Sequence, residues 1–203
     1  ENRDKMFKII SHDFRSPLIS IGNTLQVIPE LVKEKDYNSI IDLAERNEES
    51  VQRVLSLIDN LINWTLSQND DIPYNPDNYS LKEITAFIFD IYTPIANYKK
   101  IKLTNKISDT AKVYADKNIL NTILRNLVNN AIKFTSENGG ISVEDFLNND
   151  QLTIKVTDTG IGIQKSKLEK IFDLDKDKSL GTKGEKGNGL GLFFCKEFAR
   201  KNN

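Results

Sequence analysis

The first seventy residues carry apolar side chains at helical spacing over two long segments, and this pattern restricts the fold more than any other feature. In both segments the apolar positions recur three and four residues apart, which is typical of an α-helix. The first stripe consists of Phe7, Ile10, Phe14, Leu18, Ile21, Leu25 and Ile28. The second segment has one stripe at Ile41, Ala44, Val51, Leu55, Ile58, Ile62 and Thr65, and beside it a second one at Val54, Leu57, Leu61 and Trp64.

Two helices with apolar surfaces this wide cannot bury them by pairing with each other alone. We therefore expect the helical hairpin, whose joint is predicted around residues 29–38, to dimerise into a four-helix bundle. The alternative is that the second half of the chain covers the surplus face. Pro17 lies inside the first helix and is expected to loosen the turn that contains it.

The rest of the chain has a different texture. Residues 67–78 are polar and show no periodicity, which is typical of a linker. Beyond it, Ser80 and Glu83 are spaced as a capping box at the start of a helix over 81–98. The remaining pattern predicts strands near 101–107, 113–115, 141–146 and 152–157, and helices over 118–134, 165–172 and 190–201. Helices and strands mixed with a hairpin indicate an α/β two-layer sandwich.

Composition argues against several classes of function, although it leaves room for a local basic patch. Lys and Arg number 28 against 29 Asp and Glu, so the chain lacks the basic excess of a nucleic-acid-binding surface. No apolar run approaches the ~18 residues that a membrane span needs. A single cysteine, Cys195, excludes an internal disulfide and a multi-cysteine metal cluster. There is also a single histidine, His12, so any mechanism that needs one must use it.

His12 and its neighbours form a candidate nucleophile site on the first helix. His12 is two residues from Phe14 and therefore points roughly away from the apolar stripe. A carboxylate such as that of Asp13 can hold one ring N–H and leave the other nitrogen free to attack. Ser16 lies one turn later on the same face. Taken alone, this helix is also compatible with an unremarkable surface histidine.

A polar stripe on the predicted helix over 118–134 is a candidate site for a metal and phosphate. Asn126, Asn130 and Lys133 fall on one face of that helix. Amide oxygens are reasonable ligands for Mg²⁺, and a lysine can offset phosphate charge. A solvated helix face is the alternative reading of the same residues.

Glycines follow two further motifs. Asp158 ends a predicted strand and precedes Gly160 and Gly162, so its carboxylate can accept a hydrogen bond from an exocyclic amine while the glycines permit close approach of the backbone. The second motif, over 187–192, opens the last predicted helix, where backbone N–H groups form an anion site. Each glycine motif alone is weak, because many loops contain one.

The order of the four motifs is far more specific and resembles the sensor histidine kinases of two-component systems. Residues 11–18 look like their phosphoacceptor box and residues 126–135 like their N box. Residues 158–162 and 187–192 look like the two glycine boxes, and Ile171 with Phe172 resembles the F box. The likeness extends from Phe7 to about Ala199.

The resemblance implies a division of labour along the chain. Residues 1–70 would form a homodimeric dimerisation and histidine-phosphotransfer domain, and residues 73–203 an ATP-binding domain of the Bergerat (GHKL) type. The implied reaction is ATP-dependent phosphorylation of His12, followed by transfer of the phosphoryl group to an aspartate of a response regulator. The fragment would belong to the cytoplasmic part of a membrane-anchored sensor, with no nucleic-acid partner and no membrane contact of its own.

The resemblance also assigns roles to single residues. His12 matches the phosphorylated histidine, Asp13 the residue that accepts its proton, and Ser16 the position that places a water for dephosphorylation. Asp158 matches the adenine-binding carboxylate, and Asn130 the ligand of Mg²⁺. The other residues implied to contact ATP are Asn126, Lys133, Phe134, Gly160, Gly162, Gly187, Gly189, Leu190 and Gly191.

Three departures from the family pattern qualify these implications. The family commonly has Glu where this chain has Asp13, and Thr or Asn where it has Ser16 in members that dephosphorylate their partner. The family also continues past the last helix with two further strands, so the sheet is expected to lack an edge. A phosphatase-dominant member and a non-catalytic dimeric scaffold are the alternatives, and the intact motif set argues against the scaffold.

Overall fold

The computed structural model describes residues 2–68, 74–149, 151–173, 181–183 and 190–201. Within these ranges, only the backbone is described for residues 2–10, 12, 49, 52, 56, 59, 60, 62–68 and 201. The chain divides into two compact units, Glu1–Gln68 and Asn69–Asn203. Over the described ranges, no helix combines the length and the apolar character that a membrane crossing requires.

Two long helices that pack against each other make up the first unit. Helix α1 spans Asn2–Glu34 and helix α2 spans Tyr37–Gln68. Lys35 adopts a left-handed conformation with φ of 58°, which reverses the chain. Asp36 then caps α2, because its carboxylate accepts hydrogen bonds from the backbone N–H and the hydroxyl of Ser39, at 3.2 and 2.6 Å. These bonds lower the pKa of Asp36.

The joint between the helices is therefore much shorter than residues 29–38, and that expectation is wrong in extent. Helix α1 continues through Pro29 to Glu34. Proline removes one helical hydrogen bond and crowds the preceding turn. Because Pro29 is exposed, water can bind the carbonyl that loses its helical donor, and the helix tolerates the interruption.

The burial of the two helices differs from the expected stripes. Among the α1 side chains that the structure describes, Asp13, Pro17 and Thr24 are buried, whereas Leu18 and Leu25 of the predicted buried stripe are exposed. On α2 the two stripes differ in burial. Leu57 of the second stripe is 1% exposed, whereas the exposed apolar side chains described on α2 are Tyr37 and members of the first stripe. Those exposed members are Ile41, Ala44, Val51, Leu55 and Ile58.

The described residues of the second unit form two small sheets and four helices. The strands are β1 (Pro76–Ser80), β2 (Lys102–Lys106), β3 (Lys112–Asp116), β4 (Gly140–Asn148) and β5 (Gln151–Asp158). The helices are α3 (Leu81–Tyr98), α4 (Lys117–Phe134), α5 (Lys165–Leu168) and α6 (Gly191–Lys201). The prediction of α3 is confirmed, including its N-cap, because the hydroxyl of Ser80 accepts a hydrogen bond from the backbone N–H of Glu83 at 3.3 Å.

The strands pair in two sheets, and helices α3 and α4 pack against them. β1 pairs antiparallel with β3, while β2 pairs parallel with β4 and β4 antiparallel with β5. The polar turn after Asn148 makes β4 and β5 a hairpin, as predicted. Helices α3 and α4 contact each other and the strands, and their buried side chains join those of the strands in one core. This arrangement is the expected α/β sandwich.

Two local predictions in the second unit are wrong. Strand β1 begins at Pro76, inside the predicted linker over 67–78. Its five residues are mostly polar, and they form a strand because they pair with β3, which lies more than thirty residues later in the sequence. The short helix α5 ends at Leu168 and not near residue 172. All of its residues are exposed, so no buried face extends it.

Candidate functional site

Helix α4 positions the central motif of the candidate site. It begins with Asp116, whose carboxylate accepts hydrogen bonds from the backbone N–H groups of Asn118 and Ile119, at 2.9 and 3.2 Å. Such an N-cap fixes where the helix starts and hence which face meets the core. The buried positions are Leu120, Leu124, Val128, Ala131 and Ile132. The predicted core edge is thus correct at Leu120, Leu124 and Ala131, whereas Leu127 and Phe134 are half-buried.

Asn126, Asn130 and Lys133 lie on the half-buried side of α4. The Asn126 side-chain N–H donates to the carbonyl of Thr122 at 2.9 Å. Its Oδ1 faces the start of α6, since a Cβ on Gly191 would lie 2.8 Å from that oxygen. Any larger residue at position 191 would therefore displace the Asn126 amide. This contact brings the second glycine motif against Asn126 of the polar face of α4.

The other end of α4 meets the first glycine motif. The backbone N–H of Ile161 donates to the carbonyl of Phe134 at 3.1 Å. The Asp158 side chain is exposed at the end of β5 and accepts a hydrogen bond from the backbone N–H of Gly160 at 2.8 Å. A Cβ on Gly160 would collide with the Phe134 carbonyl and with Asp158 Oδ1. Glycine at this position is what allows the loop to close onto α4.

The two contacts lie at opposite ends of one polar helix face. Asn126 and Phe134 are eight residues apart, which corresponds to ~12 Å along a helix with a rise of 1.5 Å per residue. Asn130 lies halfway, and Lys133 extends its Nζ over the ring of Phe134, 4.7 Å from the centroid. The face therefore has an exposed carboxylate near one end, a helix N-terminus near the other and amide oxygens between them.

The chemistry of these donors fits Mg²⁺ better than a transition metal. The described residues contain no group of three or more His, Cys, Asp or Glu side chains that could hold an ion. An ion on this face would therefore depend on a neutral amide oxygen, with the remaining ligands supplied by water or a bound phosphate. Mg²⁺ prefers this combination. Asn130 is the residue on this face that could hold it.

The carbonyls at the C-terminal end of α4 form a feature that sequence reasoning missed. A helix leaves its last carbonyls without helical partners. Here the carbonyls of Ile132 and Lys133 accept hydrogen bonds from Lys99 Nζ, at 2.8 and 3.3 Å. The carbonyl of Lys133 also accepts from the backbone N–H of Thr182 at 3.0 Å. Lys99 gives no local signal in the sequence, because its partners lie far along the chain.

The structure describes only part of the second glycine motif. Gly187 and Gly189 lie outside the described residues. Leu190 is buried, and Gly191 is the first residue of α6. In the first motif, Gly162 has a φ of 69°, a left-handed conformation that glycine adopts without strain.

The candidate nucleophile lies in the first unit. His12 is part of α1, and its side chain lies outside the described set. Asp13 is buried, with 9% of its surface exposed, and Ser16 is exposed. The three residues therefore share one stretch of helix.

The comparisons with known proteins agree with this geometry. Residues 115–203 match the family model described as histidine kinase-, DNA gyrase B-, and HSP90-like ATPase. The adaptive-response sensory kinase SasA of Crocosphaera subtropica is 29% identical, with 98% of this chain and 53% of that protein aligned. The autoinducer 2 sensor kinase/phosphatase LuxQ of Vibrio cholerae is 31% identical over 90% of this chain, which is 22% of LuxQ.

Solved structures show the same fold. The catalytic domain of the histidine kinase ThkA aligns with a TM-score of 0.56 and 25% identity over 63% of this chain and 82% of that one. The Acinetobacter baumannii histidine kinase AdeS aligns with a TM-score of 0.68 and 19% identity over 92% of this chain and 85% of that one. The chain spans about half the length of SasA and about a fifth of LuxQ. The motifs, the α/β sandwich and these relatives together show that the chain belongs to the sensor histidine kinases and contains their GHKL-type ATP-binding domain.

Proposed function

We propose that this chain binds ATP on the polar face of α4, phosphorylates His12 and passes the phosphoryl group to an aspartate of a response regulator. The observation that carries the proposal is that α4 meets one glycine motif at each end, Gly160 at Phe134 and Gly191 at Asn126. A face ~12 Å long, with a carboxylate near one end and a helix N-terminus near the other, suits a nucleoside triphosphate. The similarity to SasA, a sensory kinase, and to LuxQ, a sensor kinase/phosphatase, supports the same function.

Each end of the face suits a different part of ATP. The exposed Asp158 carboxylate can accept a hydrogen bond from the exocyclic amine of adenine, with Phe134 beside it. The phosphates would approach the N-terminus of α6, where unpaired backbone N–H groups attract anions. Lys133 can neutralise part of their charge. Mg²⁺ held by the Asn130 amide oxygen would supply further charge neutralisation for phosphoryl transfer.

His12 is the nucleophile in this proposal. Attack by one ring nitrogen on the γ-phosphorus forms a P–N bond, breaks the bond to the ADP oxygen and requires that the other ring nitrogen lose its proton. Asp13, adjacent in sequence and buried, is the proposed acceptor of that proton. Because His12 and the ATP face lie in different units, the two units must come together for the transfer.

The first unit is proposed to be the dimerisation and phosphotransfer domain, with the ATP-binding domain over residues 73–203. The support is the exposed apolar stripe of α2, because exposed apolar side chains on a helical hairpin favour association with a second copy. The response regulator is a partner by analogy: ThkA, which shares the fold, has been solved in complex with a response regulator protein. A cytoplasmic location within a membrane-anchored sensor completes the proposal.

The test is labelling with γ-labelled ATP and Mg²⁺. We expect an acid-labile label on the wild-type protein, since a phosphoramidate hydrolyses in acid, and none on His12→Gln. ATP affinity should be equal in the two proteins, because His12 lies outside the unit that binds ATP. Label on His12→Gln would contradict the assignment of the nucleophile. Failure of the wild-type protein to bind ATP would favour a non-catalytic scaffold.

Dephosphorylation of the response regulator is a second candidate activity, because Ser16 is exposed one turn after His12. A serine hydroxyl can hydrogen-bond an attacking water, although it reaches less far than an asparagine amide. We expect weak phosphatase activity that Ser16→Thr preserves or raises and Ser16→Ala lowers, with little change in labelling of His12. Decay of labelled regulator at the same rate with Ser16→Ala and wild type, above its own hydrolysis, would remove Ser16 from this role.

A further inference from the structure

Lys99 is a buried lysine that the proposed reaction does not use. It follows α3 directly as the C-cap residue, and only 2% of its surface is exposed. Lysine is rarely buried unless its charged group is paired. Lys99 Nζ donates to the carbonyls of Ile132 and Lys133, at 2.8 and 3.3 Å, and to the hydroxyl of Thr182, at 2.7 Å. A positive group at a helix C-terminus is also favoured by the helix dipole.

Thr182 makes the second half of this connection. Its backbone N–H donates to the Lys133 carbonyl at 3.0 Å. Its hydroxyl, which accepts from Lys99, lies 3.0 Å from the carbonyl of Thr135 and 3.3 Å from that of Lys133, so it can donate to either. Gly181–Lys183 is thereby fastened to the end of α4. We call Lys99 and Thr182, with the carbonyls of residues 132, 133 and 135, the α4 clasp.

A neighbouring ion pair reinforces the clasp from outside. Lys183 Nζ lies 2.8 Å from Glu137 Oε1 and 4.3 Å from the centroid of the Tyr98 ring. The hydrogen bond and the charge of Lys183 lower the pKa of Glu137. Both groups are partly exposed, so water screens the pair and its contribution to stability is small. The buried contacts of Lys99 and Thr182 therefore carry most of the connection.

The clasp lies directly beside the residues assigned to ATP. Lys133 contributes its carbonyl to the clasp and its side chain to the polar face of α4. The next carbonyl, that of Phe134, accepts from Ile161 in the first glycine motif. Without donors, the last turn of a helix frays, because its carbonyls have no helical partners. Fraying here would release the Lys133 and Phe134 side chains from fixed directions.

We propose that Lys99 and Thr182 are positioning residues for the kinase reaction, which act by holding the last turn of α4 so that Lys133 and Phe134 point at the nucleotide. This inference rests on the proposed function, since it assumes that ATP binds on the α4 face. Neither residue touches the nucleotide in this proposal. The effect should therefore appear in nucleotide affinity and in KM for ATP, with little effect on kcat, because the contacts involved are made before and during phosphoryl transfer alike.

The central variant is Thr182→Val, which keeps the shape of threonine and removes the hydroxyl. We expect it to raise the dissociation constant of a nonhydrolysable ATP analogue with Mg²⁺, and the KM for ATP in His12 labelling, by about five- to tenfold, the loss expected for one charge-assisted hydrogen bond. Thr182→Ser, which retains the hydroxyl, should stay within about twofold of wild type in both. Calorimetry gives the affinity, and a thermal melt of each protein without nucleotide reports its stability.

A second set of variants examines Lys99. Lys99→Met removes the donors, and Lys102→Met, at an exposed position of β2, is the matched control. If Lys99 and Thr182 act as one unit, the double variant Lys99→Met with Thr182→Val should weaken binding little more than the worse single variant. Two independent structural defects would multiply their effects instead. Where Lys99→Met fails to fold, the comparison of Thr182→Val with Thr182→Ser alone decides whether the clasp positions the nucleotide contacts.

The outcomes separate this inference from the proposed function. If wild type binds the analogue and Thr182→Val binds it equally well, the clasp has no positioning role although the ATP site stands. Equal weakening in Thr182→Val and Thr182→Ser would also overturn it, because the hydroxyl would then be irrelevant. If wild type binds no nucleotide, the proposed function fails and the inference falls with it.

Discussion

At the scale of single residues, glycines decide how closely the motifs of the ATP-binding unit approach one another. Gly160 and Gly191 each lie where a Cβ would meet an atom of α4 or of its own loop. Gly160 and Gly191 are needed because they have no side chain, and not because their backbone is unusual. Among the described glycines, the left-handed φ belongs to Gly162. This distinction predicts which glycines tolerate alanine.

Gly160→Ala should lower nucleotide affinity by more than about tenfold, because the added methyl group displaces the loop that follows Asp158 away from α4. Gly140→Ala is the matched control: it lies at the start of β4, and its Cβ would meet no atom closer than 3.9 Å. Calorimetric titration with an ATP analogue compares the two. Equal affinities would show that the close approach at Gly160 is unnecessary.

At the scale of elements, side chains fasten connections to strands that they do not follow in sequence. Ser108, between β2 and β3, donates from its backbone N–H and its hydroxyl to Asp145 of β4, at 2.7 and 2.6 Å. These bonds lower the pKa of the Asp145 carboxyl, more than desolvation raises it. The connection between two strands thus depends on an ionised carboxylate.

Asp145→Asn should reduce the free energy of unfolding at pH 7 by about 0.5–1 kcal/mol, a charged hydrogen bond discounted for exposure to solvent. A carboxyl with a lowered pKa in the folded state stabilises the protein above its unfolded pKa and loses that contribution as pH falls through the folded value. The difference from wild type should therefore shrink as the pH is lowered below about 4. Urea denaturation across this range measures it, with Asp90→Asn on the exposed side of α3 as control. A difference that is constant with pH would contradict the role of the charge.

Many of the helices and strands could be predicted from the sequence, and the predictions that failed did so for the same reason. Helices α3 and α4 follow from local periodicity and capping residues, which depend on neighbours a few positions away. Strand β1 has polar residues and is ordered by β3, and Lys99 reads as a surface lysine although its partner Thr182 lies 83 residues away. Neither pairing is encoded in a local pattern. The site motifs, in contrast, were recognisable because each is contiguous.

At the scale of the whole molecule, the exposed apolar stripe on α2 of the first unit is the feature that favours association with a partner. Leu55 and Ile58 are 48% and 38% exposed on α2, while Leu57 between them is 1% exposed. The stripe that is exposed and the stripe that packs inside cannot be distinguished from spacing alone, because both recur at helical intervals. Because the structure shows which stripe is exposed and which is buried, a substitution in each stripe should have a different effect.

Leu55→Glu should convert a dimer into a monomer while preserving helix content, because the charge then lies on a surface that only association would bury. Leu57→Glu should instead destabilise the protein, by several kcal/mol, since it places a carboxylate in the interior. Light scattering at micromolar concentration gives the mass, and circular dichroism gives the helix content. A wild-type monomer, or a Leu55→Glu protein that remains dimeric, would rule out the stripe as the interface.

The last turn of α4 has a consequence for how this domain can change over evolution or by design. Every acceptor there is a main-chain oxygen, present whatever side chains the helix carries. Substitutions along the polar face of α4 can therefore alter ligand preference without dismantling the support beneath it. The support depends on its donors, among them Lys99, Thr182 and the backbone N–H of Ile161. Designed changes of ligand preference therefore have freedom at positions along this face and little freedom at the donors.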